Sequence, residues 1–280
     1  MLNHFRNTLG RSYCRLNHSR IGKKLQSWAA LAQESRASES RVEAKEQRVR
    51  LYDTPTGSYY LPTDAPRDPV IHCIKTGAIF EPEIIETAKA YLRPGSTVLD
   101  LGANFGQMSV LFSRFVGAGG QVHSFKADPF VYELLKKTLA ANNCQNVTTH
   151  RGAVYDRPNQ QLFYPVQDFI RFGSYGSYGI DPNAKSGRTV ETLTIDSLNV
   201  ETPISFMKVD IQGSDLFALR GAVETIKRHR MPILFEFEQQ FQAEFGTSFQ
   251  DYVDFVNSIS YRFEKVVMEI ESINYLIVPG

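Results

Sequence analysis

The sequence lacks any uninterrupted apolar run long enough to cross a bilayer, and its start lacks the continuous apolar stretch of a secretory signal. It also lacks charge of one sign. Against 31 Lys and Arg stand 30 Asp and Glu, and a formal net charge of +1 indicates no nucleic acid or other polyanionic partner. Cysteine is scarce: Cys14, Cys73 and Cys144 are widely scattered with no C-x-x-C spacing, so neither a zinc site nor a disulfide framework is indicated. His72, His123, His150 and His229 have no spacing suggestive of a metal site either, and no metal is expected. These absences describe a soluble, cytoplasmic protein without a membrane span. They leave its oligomeric state open.

What is present is enough apolar material, 42 % of 280 residues, to bury a core over one or two domains. Residues 1–50 differ from the rest: Arg6, Arg11, Arg15, Arg20, Lys23 and Lys24 arrive with no acidic partner before Glu34, and the following charges alternate at helical spacing without an apolar face. The expectation is a basic, partly helical N-terminal extension; an organelle presequence or a surface-binding arm shares this pattern. Residues 51–280 form the expected globular domain. "SYYLP" and "PVIHCIKTG" suggest short strands, and "EPEIIETAKAYLRPG" a helix closed by Pro94 and Gly95. Thereafter strands ("TVLDL", "QVHSF", "VTTHRGAV", "RTVETLTI", "ISFMKVDI", "PILFEFE") alternate with amphipathic helices, including one helix across "SDLFALRGAVETIKRH". Such alternation implies right-handed crossovers and a doubly wound, mostly parallel sheet. "YRFEKVVM" and "SINYLIVPG", joined by a short polar link, suit an antiparallel edge pair. Phe172 to Gly187, rich in Gly, Ser and Tyr, reads as a mobile segment rather than core, and its Phe172, Tyr175 and Tyr178 suit stacking on a sugar or an apolar acceptor.

The stretch "STVLDLGANFGQMSVLF", Ser96 to Phe112, runs from a buried strand through a small-residue loop into a helix. In an open sheet of this kind ligands bind at the carboxyl ends of the strands. Glycines there permit a tight turn, and the helix start offers free N–H donors. The spacing is G-A-N-F-G rather than G-x-G-x-x-G, which favours a nucleoside ligand without bridging phosphates over a nicotinamide dinucleotide. Asp100, acidic at the end of an apolar strand, suits a cationic amino-acid tail or a sulfonium; it equally suits a cap on the turn.

"LDLGANFGQMS", "SFKADPFVYELLKKTLAANN", "TLTIDSL" and "SFMKVDIQGSDLFALRG" together resemble the FkbM family of class I S-adenosylmethionine-dependent methyltransferases, over about Pro94 to Glu238. The resemblance implies an α/β, Rossmann-like class I methyltransferase fold with a seven-stranded sheet. It implies S-adenosylmethionine in the glycine loop, surrounded by Asp100, Gly102, Asn104 and Gly106. It also implies O-methylation of a hydroxyl, on a sugar, glycan precursor or secondary metabolite. Two positions depart from the family pattern. The second strand usually ends in an acid that holds the ribose hydroxyls, and here stands Lys126, which can only donate; Asp128 is then the candidate substitute, or a helix N-cap before Pro129. The "DVEG" motif reads "DIQG", so Gln212 replaces a glutamate while Asp210 remains. Asp210 is the leading candidate base for the acceptor hydroxyl, or a cap on the next helix, and Glu236 a second catalytic candidate, sharing a strand face with Glu238. Asp196 reads as a cap. The rivals are a degenerate methyltransferase fold that binds a partner, motivated by Lys126 and Gln212, and a nucleotide-dependent oxidoreductase.

Overall fold

The computed structural model describes residues 49–164, 174–176, 178–268 and 273–280. The expected extension lies outside them except for Val49 and Arg50, which open the first strand. Strand β1 (Val49–Thr54) turns through Pro55 and Thr56 into β2 (Gly57–Pro62), an antiparallel hairpin. Helix α1 (Pro69–Lys75) corrects the strand expected from "PVIHCIKTG". Its start explains why: Asp68 is the N-cap, its carboxylate accepts from Ile71 N at 3.0 Å, and Pro69 supplies a helix-compatible φ at the first position. Helix α2 (Pro82–Lys89) follows.

The core of the chain then alternates: β3 (Thr97–Leu101), α3 (Gln107–Val116), β4 (Gln121–Lys126), α4 (Pro129–Ala141) and β5 (Val147–Arg151). After Gly152 come β6 (Ala153–Val154), β7 (Gln161–Tyr164) and β8 (Arg188–Leu193). Next are β9 (Ile204–Val209), α5 (Asp215–Arg220), α6 (Val223–His229) and β10 (Ile233–Phe237). The single helix expected across residues 214–229 is therefore two. Asp196 accounts for the second start, accepting from Glu224 N (3.1 Å) and Thr225 N (2.8 Å) to satisfy the first-turn donors of α6. Helices α7 (Gln239–Phe245) and α8 (Phe249–Ser258) precede β11 (Tyr261–Met268) and β12 (Ile273–Pro279).

Seven strands make one sheet in the order β11-β12-β10-β9-β3-β4-β5. β10, β9, β3, β4 and β5 are mutually parallel, and β12 runs antiparallel between β10 and β11. This is the doubly wound, mostly parallel sheet with an antiparallel edge pair. Its central strands are buried on both faces, so consecutive side chains enter opposite layers. Val98, Phe206 and Leu234 pack with Ile84, Leu111 and Phe112 on one side. Leu99, Met207 and Phe235 pack with Leu216, Leu219 and Ile226 on the other. "RTVETLTI" lies elsewhere: β8 joins β6 and β7 in a separate three-stranded sheet. No helix among the described residues is long and apolar enough to cross a membrane.

Candidate functional site

The chain runs outward from β3 to β4 and β5 on one side, and from β9 to β10 on the other. The two halves diverge between β3 and β9, the switch point where a crevice opens at the carboxyl ends of the strands. A cavity of about 630 Å³ lies there. The turn after β3 contributes Gly102 and Asn104, the end of β4 Lys126, the turn after β9 Asp210 and Gln212, and β10 and its end Glu236 and Glu238. Glu81 and Tyr178 line it from other segments.

Of the residues expected around a ligand, Gly102, Asn104, Asp210 and Glu236 line this cavity together, while Asp100, Gly106 and Asp128 do not line it. Gly102 adopts φ 87 and packs against the backbone of Asp210, so the turn after β3 and the turn after β9 share one close contact. Asn104 adopts φ 46, and its buried Oδ1 has no hydrogen-bond partner among the described residues. Gly106 is the left-handed N-cap of α3. Asp100 is fully buried: Oδ2 accepts from Ser109 Oγ at 2.5 Å, and Oδ1 lies 3.8 Å from Lys208 Nζ. Burial raises its pKa, opposed by Lys208 and Ser109.

Lys208 joins this floor to the cavity, its Nζ lying 2.9 Å from Asp210 Oδ2. Burial opposes the charge of Lys208, but Asp210 and Asp100 outweigh it and raise its pKa. Asp210 is correspondingly held ionised: burial disfavours its charge, and Lys208 with hydrogen bonds from Glu236 and Gln212 lowers its pKa nonetheless. Glu236 behaves oppositely. Burial first, then the charges of Asp210 and Glu238, lift its carboxyl well above the usual range. The two shifts run in opposite directions, as expected of adjacent buried carboxyl groups that resist ionising together. Gln212 holds the pair, its Nε2 donating to Asp210 Oδ1 and Glu236 Oε2 at 3.1 Å each. Its backbone is left-handed at φ 55, a strained conformation of the kind that collects at functional sites. Below the turn, Asp215 accepts from Ile211 N (3.2 Å) and Gly213 N (3.0 Å). Burial and then Asp210 push its pKa up to about 7.

Asp128 is committed on both oxygens. Oδ1 accepts from Phe130 N (2.8 Å) and Val131 N (2.9 Å), and Oδ2 pairs with Arg188 at 2.5 Å. Lys126, by contrast, lines the cavity with 9 % of its surface exposed and makes no hydrogen bond or ion pair among the described residues. Burial lowers its pKa, against the charges of Asp128 and Asp210.

The aromatic segment divides. Phe172 lies outside the described residues. Tyr175, expected on a mobile loop, is 4 % exposed and packs edge-on to Phe105, with Tyr175 N bonded to Asp68 Oδ2 at 2.6 Å. Tyr178 reaches the cavity. Sequence reasoning passed over Lys208, hidden inside an apolar strand, and Glu81. The signal for Glu81 is the proline after it, which disfavours helical backbone at the preceding residue. Glu81 takes φ 50 at the start of α2 and faces the cavity.

Residues 100–263 match the model of a family described as Methyltransferase FkbM domain. No curated protein matches the chain. Among solved structures, a SAM-dependent methyltransferase from Aquifex aeolicus is 15% identical, with a TM-score of 0.43, over 76% of this chain and 95% of its own. Methyltransferase FkbM from Methylobacillus flagellatus KT is 17% identical, with a TM-score of 0.45, over 68% of this chain and 50% of its own, so this chain spans about half its length. Aeropyrum pernix fibrillarin, in complex with natively bound S-adenosyl-L-methionine, is 14% identical, with a TM-score of 0.39, over 82% of each chain.

Proposed function

The chain belongs to the FkbM methyltransferase family, and from that premise we propose that its cavity binds S-adenosylmethionine and that it methylates a hydroxyl of a sugar, glycan precursor or secondary metabolite. The observation that carries this reading is the placing of Asp210 and Glu236, bridged by Gln212 Nε2, on the wall of a cavity at the sheet's switch point. The donor set fits the cofactor. Five carboxyl side chains, Glu81, Glu83, Asp210, Glu236 and Glu238, line the cavity against one ammonium, Lys126, among the described residues. An acid-rich wall suits a ligand carrying an ammonium and a sulfonium, and the unpartnered Asn104 Oδ1 suits the ammonium as a further acceptor.

When bound, the cofactor supplies an electrophilic methyl group. The chain's part is to align the acceptor oxygen for in-line attack and to accept its proton. Gly102 and Asn104 face the methionine portion, supported from behind by Asp100 and Gly106. Asp128 steadies the ribose end by holding the first turn of α4. Asp210 takes the hydroxyl proton: it is ionised, and Lys208 and Gln212 orient its carboxylate. Glu236, whose raised pKa favours its protonated form, keeps the cluster from carrying two adjacent negative charges. The Tyr178 ring offers the acceptor a stacking face.

The test is calorimetric titration of the whole protein with S-adenosylmethionine, S-adenosylhomocysteine and NADPH, followed by a screen of hydroxylated acceptors. The adenosyl ligands bind and NADPH does not. Asp210→Asn retains S-adenosylhomocysteine and loses about 10²–10⁴-fold in turnover. Binding of NADPH alone points to the oxidoreductase instead, and unchanged turnover in the variant removes Asp210 from the chemistry.

A further inference from the structure

Lys126 ends β4, one strand away from the Gly102 turn, on the side of the cavity opposite Glu236 and Glu238. β3 and β9 stand between β4 and β10, so at about 4.8 Å per strand the lysine and the β10 carboxyl groups mark two ends of one crevice, about 14 Å apart. In doubly wound sheets the ribose of a bound nucleoside meets a side chain near this strand end: a carboxylate there takes the 2′-hydroxyl, and a basic residue accommodates a phosphate on it. In this chain that place belongs to an amine. The carboxylates whose charge it feels are each engaged elsewhere. Asp68 caps α1 and accepts from Tyr175 N, Asp128 caps α4 and pairs with Arg188, and Asp210 is held by Lys208 and Gln212. The Lys126 side chain is mostly buried and lines the cavity without an ion pair among the described residues, so a ligand oxyanion is the partner the cavity leaves room for.

We propose that Lys126 makes the ribose end of this cavity a site for an adenosine bearing a phosphate on its ribose, and that such nucleotides compete with the methyl donor. The inference rests on the reading of the cavity as an adenosyl site. It makes Lys126 a specificity-determining residue, not a member of the reacting set. A 2′- or 3′-phosphate forms a charge-assisted hydrogen bond with the amine, while the nucleoside occupies the same crevice as the cofactor's own adenosine.

The experiment is a set of calorimetric titrations of the full chain with adenosine, adenosine 2′-phosphate, adenosine 3′-phosphate, inorganic phosphate and S-adenosylhomocysteine. It is repeated on Lys126→Met and Lys126→Arg. At least one of the two nucleotides binds the wild-type protein tenfold or more tightly than adenosine and displaces S-adenosylhomocysteine. The advantage disappears in Lys126→Met and survives in Lys126→Arg, while adenosine itself binds all three proteins within a few-fold. If adenosine and S-adenosylhomocysteine bind but neither phosphate adds affinity, the inference fails and the adenosyl reading stands. It fails in the same way if inorganic phosphate competes as well as the nucleotides do. If no adenosine compound binds, both fall. The wild-type comparison decides even if a variant fails to fold, and the arginine variant separates loss of the charge from loss of packing.

Discussion

A Cβ added at Gly102 would lie 1.8 Å from the carbonyl oxygen of Asp210, in a backbone with φ 87. The glycine therefore lets two chain segments touch at the switch point, and no side chain can replace it without separating β3 from β9. Gly246, at the end of α7, gives the control: its φ is 63 and its ψ 34, and nothing lies within 4 Å of an added Cβ. Gly246→Ala bears only the strain of a left-handed backbone, about 1–2 kcal/mol, whereas Gly102→Ala adds a backbone clash and costs at least about 3 kcal/mol. Urea unfolding of the two variants measures the difference, and equal losses would mean that the two turns are not in contact. At this scale the sequence announced the glycine and one reason for it, a tight turn, but not the segment it touches. Asp210 is remote in sequence, and only the sheet order brings it there. Lys208 shows the same limit, because its ion pairs with Asp100 and Asp210 exist only after β3 and β9 are adjacent.

Among the elements, α1 and β8 show where pattern reading and tertiary context part. Residues 69–77 hold enough β-branched residues, Val70, Ile71, Ile74 and Thr76, to suggest a strand, but Asp68 and Pro69 form a helix start whose chemistry outweighs that propensity. Asp68 also carries a second duty, accepting the Tyr175 amide 107 positions away and so fastening the segment beside the cavity. Asp68→Ala therefore removes both a cap and a buried acceptor, and a loss of about 2–4 kcal/mol is expected. Asp68→Ser, which keeps a capping oxygen but cannot reach both donors, should recover roughly 1 kcal/mol of it. Chemical unfolding of the pair checks this, and a loss below about 1 kcal/mol for alanine would show that the cap is dispensable. β8 carried a readable warning: its alternating burial leaves one face to solvent, unlike the uniformly buried β3 and β10. A strand of that kind belongs to a small antiparallel or mixed sheet rather than the centre of a parallel one.

For the molecule as a whole, the alternation of strands and helices was enough to specify the wound sheet and its antiparallel edge, because burial on both faces imposes continuous apolar strands. What alternation cannot encode is the electrostatic state of the crevice, which depends on how many acids the closed fold gathers there. Asp215 makes that collective property measurable. Its folded pKa is raised to about 7 from an ordinary value of 3.8. Below the lower value both folded and unfolded chains hold the proton and the full stability is present; as pH rises toward 7 the unfolded chain ionises while burial and Asp210 oppose ionisation in the folded one. Stability attributable to Asp215 is thus lost with rising pH, and the loss is complete above the folded value. Asp215→Asn keeps the shape without the titration. The stability of wild type relative to this variant should fall by about 2–3 kcal/mol between pH 5 and pH 8, other titrating groups cancelling in the comparison. Parallel stability curves for the two proteins across that range would show that Asp215 is already ionised in the fold. In that case the turn beneath Asp210 would carry a second negative charge, and the carboxyl cluster of the crevice would hold one proton fewer than the geometry implies.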